Sequence, residues 1–206
     1  MTTLTVAKAK KKGVSQAPLP GGYAGKLLRV DMTKGKCWAE PWGADQMREL
    51  LGGIGLGAMI LYKETAKGKK NASWDDPENR LILATGPLAG LPVWGTGGLT
   101  VVTIGAGTNG PTSTQANGFF GTNLKYSGYD AIVIQGQSKS WKYLYIQDDV
   151  IELRDASPLV GKDTWETQQA LGQDLKLGGH ALSVYSIGPA GEHCVRFAAI
   201  QGDYGH

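Results

Sequence analysis

The residues best suited to chemistry lie between Thr85 and Gly136, and they offer backbone amides and neutral side chains rather than ionisable groups. The run reads T-G-P-L-A-G-L-P-V-W-G-T-G-G-L over 85–99 and G-A-G-T-N-G-P-T-S-T-Q-A-N-G-F-F-G over 105–121, with no charge before Lys125. Loops so rich in N–H and hydroxyl donors suit close contact with a large polar, phosphorylated ligand. The bland alternative is a set of tight turns in a β-rich core.

Each sharper motif in or beside this run meets an objection. Gly105–Gly110 matches G-x-G-x-x-G and follows a strand, but dinucleotide binding needs a helix opening inside the motif to hold the pyrophosphate. Here Pro111-Thr112-Ser113-Thr114 follows, with no helical period until about Asn117. Gly53-Ile54-Gly55-Leu56-Gly57-Ala58 fits the relaxed form but lies between helices. Asn117 is placed to cap a helix running to Tyr126, whose free amides would accept an anion. His180, His193 and His206 form no triad or metal cluster, and Cys37 and Cys194 match no metal spacing. The chain thus offers a binding surface and no catalytic group.

Its composition is that of a folded domain. The 206 residues are 41% hydrophobic and include 31 glycines, without a collagen-like period. The net charge of +3 is partly owed to Lys8, Lys10, Lys11 and Lys12, too local for a nucleic-acid surface. No apolar run approaches membrane-spanning length, and no apolar region follows the first lysines as in a signal peptide. Two reduced cysteines suit a cytoplasmic protein. Residues 1–21 read as a basic, disordered tail and residues 22–206 as one domain.

Strands are expected over Gly25–Asp31, Lys36–Glu40, Arg80–Thr85, Thr100–Ile104, Ala131–Ile134, Trp141–Gln147, Val150–Arg154, Ala181–Ile187 and Val195–Ile200. Asp45 is expected to cap a helix carrying Met47, Leu50 and Leu51, and Ile54–Tyr62 forms a second. Lys63–Lys70 reads as a solvated loop. Asp163-Thr164-Trp165-Glu166 fits a capping box opening a helix to about Leu175. A-T-G-P-L-A-G at 84–90 is echoed by S-I-G-P-A-G-E at 186–192, as a duplication would leave.

Several segments together resemble the N-terminal domain of the tungsten-dependent aldehyde:ferredoxin oxidoreductase family. They are G-K-L-L-R-V-D-M-T-K-G (25–35), L-L-G-G-I-G-L-G-A (50–58), P-E-N-R-L-I-L-A-T-G-P-L-A-G (77–90), N-G-F-F-G-T-N-L-K-Y-S-G-Y-D-A-I-V-I-Q-G (117–136), Y-L-Y-I-Q-D-D-V-I-E-L-R-D-A-S (143–157) and S-I-G-P-A-G-E-H-C-V-R-F-A-A-I (186–200). They run in the family's order from about residue 22 to 200.

The resemblance implies an α+β fold, a β-rich platform of two similar intertwined α/β halves. In that family the platform underlies two pterins that hold tungsten, or molybdenum, through dithiolene sulfurs, with Mg²⁺ bridging their phosphates. Those enzymes oxidise aldehydes to carboxylic acids and pass electrons through a [4Fe–4S] cluster to ferredoxin. Carried over by position, the cofactor-binding residues are Thr96, Gly97, Gly98 and Leu99, then Gln115, Ala116, Asn117 and Gly118, then Asp203 and His206. Gln115 is the candidate on the Mg²⁺ side, and a shift of register offers Asn117. Gly98 and His206 stand where the family carries arginines.

The family's cluster cysteines and acid/base residues belong to downstream helical domains. The resemblance therefore implies a chain inactive alone, completed by those domains or by a partner subunit, with ferredoxin or a similar acceptor. Open alternatives are the same domain in an aromatic-thioester reductase, a structural subunit without the cofactor, and a dinucleotide-binding module.

Overall fold

Short, largely apolar strands buried on both faces build the centre of the domain. In the computed structural model, which describes residues 19–66 and 72–205, the chain opens with β1 (Lys26–Asp31) and β2 (Lys36–Pro41), an antiparallel hairpin pairing Lys26 with Pro41 and Asp31 with Lys36. Two helices follow, α1 (Ala44–Leu50) and α2 (Gly53–Leu61), the latter running into a π-helical turn at Tyr62–Ala66. Then come β3 (Arg80–Ala84), β4 (Leu99–Ile104), β5 (Pro111–Ala116), α3 (Phe120–Tyr126) and β6 (Ala131–Gln135). These strands form one sheet in the order β2-β1-β6-β3-β4-β5, parallel only where β1 meets β6.

Side chains one residue apart on these strands enter different cores, because successive residues point to opposite faces. Leu27, Ile82, Val102 and Val133 pack with Met47, Leu56 and Ile60 of the helices on one face. Leu28, Leu83, Val101 and Ile132 pack on the other with Leu124 of α3 and with Ile151. Ile151 belongs to the hairpin β7 (Lys142–Gln147) and β8 (Val150–Asp155), whose Leu144, Ile146 and Leu153 help cover that face. Leu28, Met47 and Val133 are wholly buried, each stabilising the fold by about 1.5–3 kcal/mol. Gly57 lets α2 lie close on β4: a Cβ there would stand 2.5 Å from Val102 Cγ2. The glycine spacing of residues 53–57 thus serves packing.

Two buried polar clusters lock the layers. Asp130 is fully buried; it accepts from the Gly25 amide at 2.7 Å, the Ala24 amide at 3.0 Å and Trp42 Nε1 at 2.8 Å, and it pairs with the Lys125 ammonium. Glu64, on the π-helical turn, bridges Arg29 at 2.7 Å and Arg80 at 2.8 Å. Burial raises its pKa, but the two guanidinium groups outweigh that and hold it below the usual value.

The remainder repeats the opening order of hairpin, helix, strand, Gly-Pro, strand. After β7 and β8 come α4 (Thr164–Leu175), β9 (Tyr185–Ser186), the short helix α5 (Gly188–Glu192) and β10 (Gln201–Gly202), which pairs antiparallel with β9. The Gly-Pro echo therefore falls at equivalent places in the two series. The capping box opens α4 as expected, with the Glu166 amide donating to Asp163 Oδ1 at 2.7 Å and the Asp163 amide to Glu166 Oε2 at 3.0 Å.

Several expectations are corrected. Gly43, not Asp45, caps α1, and Leu51 ends it in a left-handed conformation with φ 59°. The expected loop after Tyr62 is helical to Ala66, and residues 67–71 lie outside the described residues, as does the basic tail to residue 18. Residues 111–116, unassigned from sequence, form an exposed edge strand. The strands expected over 181–187 and 195–200 reduce to Tyr185–Ser186 alone. The G-x-G-x-x-G run is the turn from β4 to β5, closed by the Gly105 amide donating to the Gly110 carbonyl at 2.9 Å. A strand follows where a dinucleotide site needs a helix. Among the described residues, no helix is long and apolar enough to cross a membrane.

Candidate cofactor-binding face

The antiparallel pairing of β4 with β5 sets Leu99 opposite Ala116 and Thr100 opposite Gln115. The loops 96–98 and 117–119 therefore leave the same end of the sheet side by side. Glycines let them touch backbone to backbone. A Cβ on Gly97 would stand 2.3 Å from the Gly118 carbonyl oxygen, and one on Gly121 would stand 3.0 Å from the Gly98 carbonyl oxygen. Gly118 adopts φ 101°, open to glycine at no steric cost.

The turn after β10 closes on this pair. The Phe119 amide donates to Asp203 Oδ2 at 2.7 Å, and Ser183 Oγ donates to the same oxygen at 2.8 Å. Tyr185 donates its hydroxyl to the Asn117 carbonyl at 2.7 Å and stacks edge-on against Phe120 at 4.7 Å. Burial, and then the charge of Asp203, push the Tyr185 phenol up to about 12, so it stays protonated as a donor. Asp203 is 5% exposed, and its Oδ1 is buried without a hydrogen-bond partner among the described residues.

The described residues among those singled out from sequence thus fall at one corner, though in different attitudes. Gly98, Gln115 and Asn117 are exposed, while Thr96, Gly97, Ala116 and Gly118 are half-buried. Nothing lies within 4 Å of where a Cβ on Gly98 would be, so that side of the corner is open. Thr96 turns its hydroxyl back to the Leu91 and Val93 carbonyls at 2.8 and 2.9 Å. Leu99 is 1% exposed and packs in the core, leaving only its backbone near the loop. The carboxylate of Asp203 points to Phe119 and Ser183. Asn117 does not cap α3; Phe119 takes the N-cap position, with no side-chain cap. His206 lies outside the described residues.

Sequence reasoning missed Ser183, Tyr185 and Phe119 as parts of this corner, and it placed His180 in no triad or metal cluster. His180 is exposed, yet its ring meets Phe119 at 4.1 Å. Tyr185 stands just before the Gly-Pro echo, and the echo was the available signal. Beside the corner the loop carries exposed Leu88, Val93 and Trp94.

The sequence model of the aldehyde ferredoxin oxidoreductase N-terminal domain matches residues 27–206. The chain belongs to that family. Relatives agree: the tungsten-containing aldehyde ferredoxin oxidoreductase of Thermococcus kodakarensis is 42% identical over 90% of this chain, and that of Pyrococcus abyssi 40% over the same share. The aliphatic sulfonate oxidoreductase, WOR-like subunit, of Pyrococcus furiosus is 36% identical over 86% of this chain. The chain spans about 30% of the length of each of these relatives. Among solved structures, the active-site complex BamBC of benzoyl coenzyme A reductase, in complex with 1,5-dienoyl-CoA, superposes with a TM-score of 0.82 at 35% identity. The match covers 88% of this chain and 27% of that one. The fold is therefore the α+β platform of this family.

Proposed function

We propose that this chain is the pterin-binding domain or subunit of a tungsten or molybdenum bis-pyranopterin oxidoreductase that converts aldehydes to carboxylic acids. The observation that carries the proposal is the glycine contact between loops 96–98 and 117–119, which sets two uncharged, donor-rich loops side by side at an open corner. Backbone groups of Gly97, Gly98, Ala116, Asn117 and Gly118 are candidates for the edges of a fused heterocycle, and the corner is open beside Gly98. Thr96 and Leu99 brace the first loop from behind, and Asp203 braces the second by accepting the Phe119 amide; His206 stays a candidate contact that the resemblance alone offers. The exposed amide of Gln115, at the end of β5, is the candidate on the phosphate and Mg²⁺ side. When bound, the cofactor would supply two-electron redox chemistry at the metal, and the protein would position it. The loops at 96–99 and 115–119 contain no lysine or arginine. They would orient the group by hydrogen bonds rather than by ion pairs.

The cluster cysteines and the groups that move protons belong to the rest of such an enzyme, on further domains or a partner subunit. A [4Fe–4S] cluster there would pass electrons to ferredoxin or a similar acceptor. The compartment would be the cytoplasm, where free cysteines such as Cys37 and Cys194 persist.

Metal and pterin analysis of the chain purified with its native partners tests this. Stoichiometric tungsten or molybdenum with pterin is expected, and their absence overturns it in favour of a structural subunit. A second reading, reduction of an aromatic thioester, draws on the likeness to benzoyl coenzyme A reductase. Assaying the loaded complex with aldehydes and with an aromatic acyl thioester separates the two.

A further inference from the structure

We propose that Asp203 is a positioning residue that ties both loops of the candidate face into one unit; the inference rests on the pterin-binding reading for its functional meaning. Its Oδ2 takes the Phe119 amide at 2.7 Å and the Ser183 hydroxyl at 2.8 Å, joining the loop after β5 to the segment before β9. A Cβ on Gly118 would lie 2.6 Å from that same oxygen, so the carboxylate abuts the Gly118 backbone. The Gly118 carbonyl in turn abuts Gly97. Contact therefore passes from Asp203 through Gly118 to the loop 96–98 with no flexible side chain between. Packed backbone segments transmit displacement because interiors have few voids to absorb it.

The backbone at the tie is itself held in place. Asp203 and Tyr204 both lie in the left-handed region, with φ 47° and 61°, a conformation that surrounding bonds must over-determine. Those bonds are present: the Asp203 amide donates to the Val184 carbonyl at 3.2 Å and the Tyr204 amide to Gln168 Oε1 at 3.1 Å. Among the described residues Oδ1 has no donor, so the tie within them uses one oxygen. It follows that D203N, which keeps an acceptor oxygen at Oδ2, retains the tie, whereas D203A breaks it. If the negative charge mattered instead, the two variants would behave alike.

The experiment is amide hydrogen exchange and pterin content on D203A and D203N in the full chain with its partners. In D203A, the Phe119 amide should exchange roughly ten- to a hundredfold faster, as expected when a part-buried donor loses its acceptor. Gly97 and Gly98, which make no bond to Asp203, should speed with it, and bound pterin should fall. D203N should hold Phe119 within about threefold of the parent, since one acceptor remains, and keep most of its pterin. Faster exchange confined to Phe119, or equal effects of the two variants, overturns the proposal. So does full pterin content in D203A. Where D203A fails to fold, S183A carries the test: Phe119, Gly97 and Gly98 must speed together, and Phe119 alone refutes the tie. If the parent protein itself holds no pterin, the functional reading fails, while the exchange pattern still decides the tie.

Discussion

Gly97→Ala and Gly98→Ala should have opposite consequences although the two residues are neighbours in one loop. Neither glycine has a positive φ, so both backbones accept an L residue and the contrast is steric. A methyl at Gly97 would stand 2.3 Å from the Gly118 carbonyl oxygen, a backbone atom that cannot rotate away; a methyl at Gly98 meets nothing within 4 Å. Overpacking of this kind costs about 1–3 kcal/mol. Both substitutions also stiffen the unfolded chain, which favours folding by about 0.4–1 kcal/mol. That contribution is shared, so the gap between the variants isolates the clash at about 1–3 kcal/mol. For a chain of this size about 2–4 °C accompanies each kcal/mol, which places Gly97→Ala about 2–12 °C below Gly98→Ala. Thermal or urea unfolding followed by circular dichroism measures the gap. Equal midpoints, or Gly98→Ala as the weaker protein, would refute the backbone contact and with it the juxtaposition of the two loops.

Glu64→Gln should destabilise the fold at neutral pH by about 1–3 kcal/mol, less than a fully buried pair because Glu64 is only partly covered. The folded-state pKa of Glu64 is lowered, so its stabilisation is present above the unfolded value and is lost as pH falls through the folded one. The gap between the parent and the variant should therefore hold steady above about pH 5 and close below about pH 4; urea midpoints across that range check it, and a gap that widens in acid is incompatible with the Arg29–Glu64–Arg80 bridge. Cys37 and Cys194 should separate in a thiol-labelling experiment. Burial pushes the Cys37 thiol up to about 11, whereas Cys194 is exposed, so at mildly alkaline pH the label should go first to Cys194 in a peptide map.

The centre of the fold was legible because its strands are buried on both faces and read as apolar runs between turns, as with Leu81–Ala84 and Ala131–Ile134. α4 was legible from its cap. β5 was not: Thr112, Ser113, Thr114 and Gln115 are exposed on an edge strand, so no face imposes an apolar period. The stretch 195–200 has the alternation of a strand, but no strand among the described residues pairs with it and it stays irregular. For the candidate face, the order of motifs placed the right loops, while the attitude of each side chain depended on distant segments. Asp203 illustrates this, since its partners Phe119 and Ser183 come from other parts of the chain. The anchoring role of Asp130 was hidden for the same reason: nothing beside it in sequence announces Trp42 or the amide of Gly25.

The position of β6 bears on how the molecule assembles. It is made after every other strand of the main sheet, yet it lies between β1 and β3 and pairs Leu27 with Ala131 on one side and Ile82 with Val133 on the other. Until Gln135 has left the ribosome, β2-β1 and β3-β4-β5 are two separate ribbons, each with an unsealed inner margin. Closing them requires contacts distant along the chain, the slow kind in folding, and both margins are open to foreign strands meanwhile. The keystone of this platform is thus its latecomer, and nascent chains stalled short of it are the ones most in need of a chaperone.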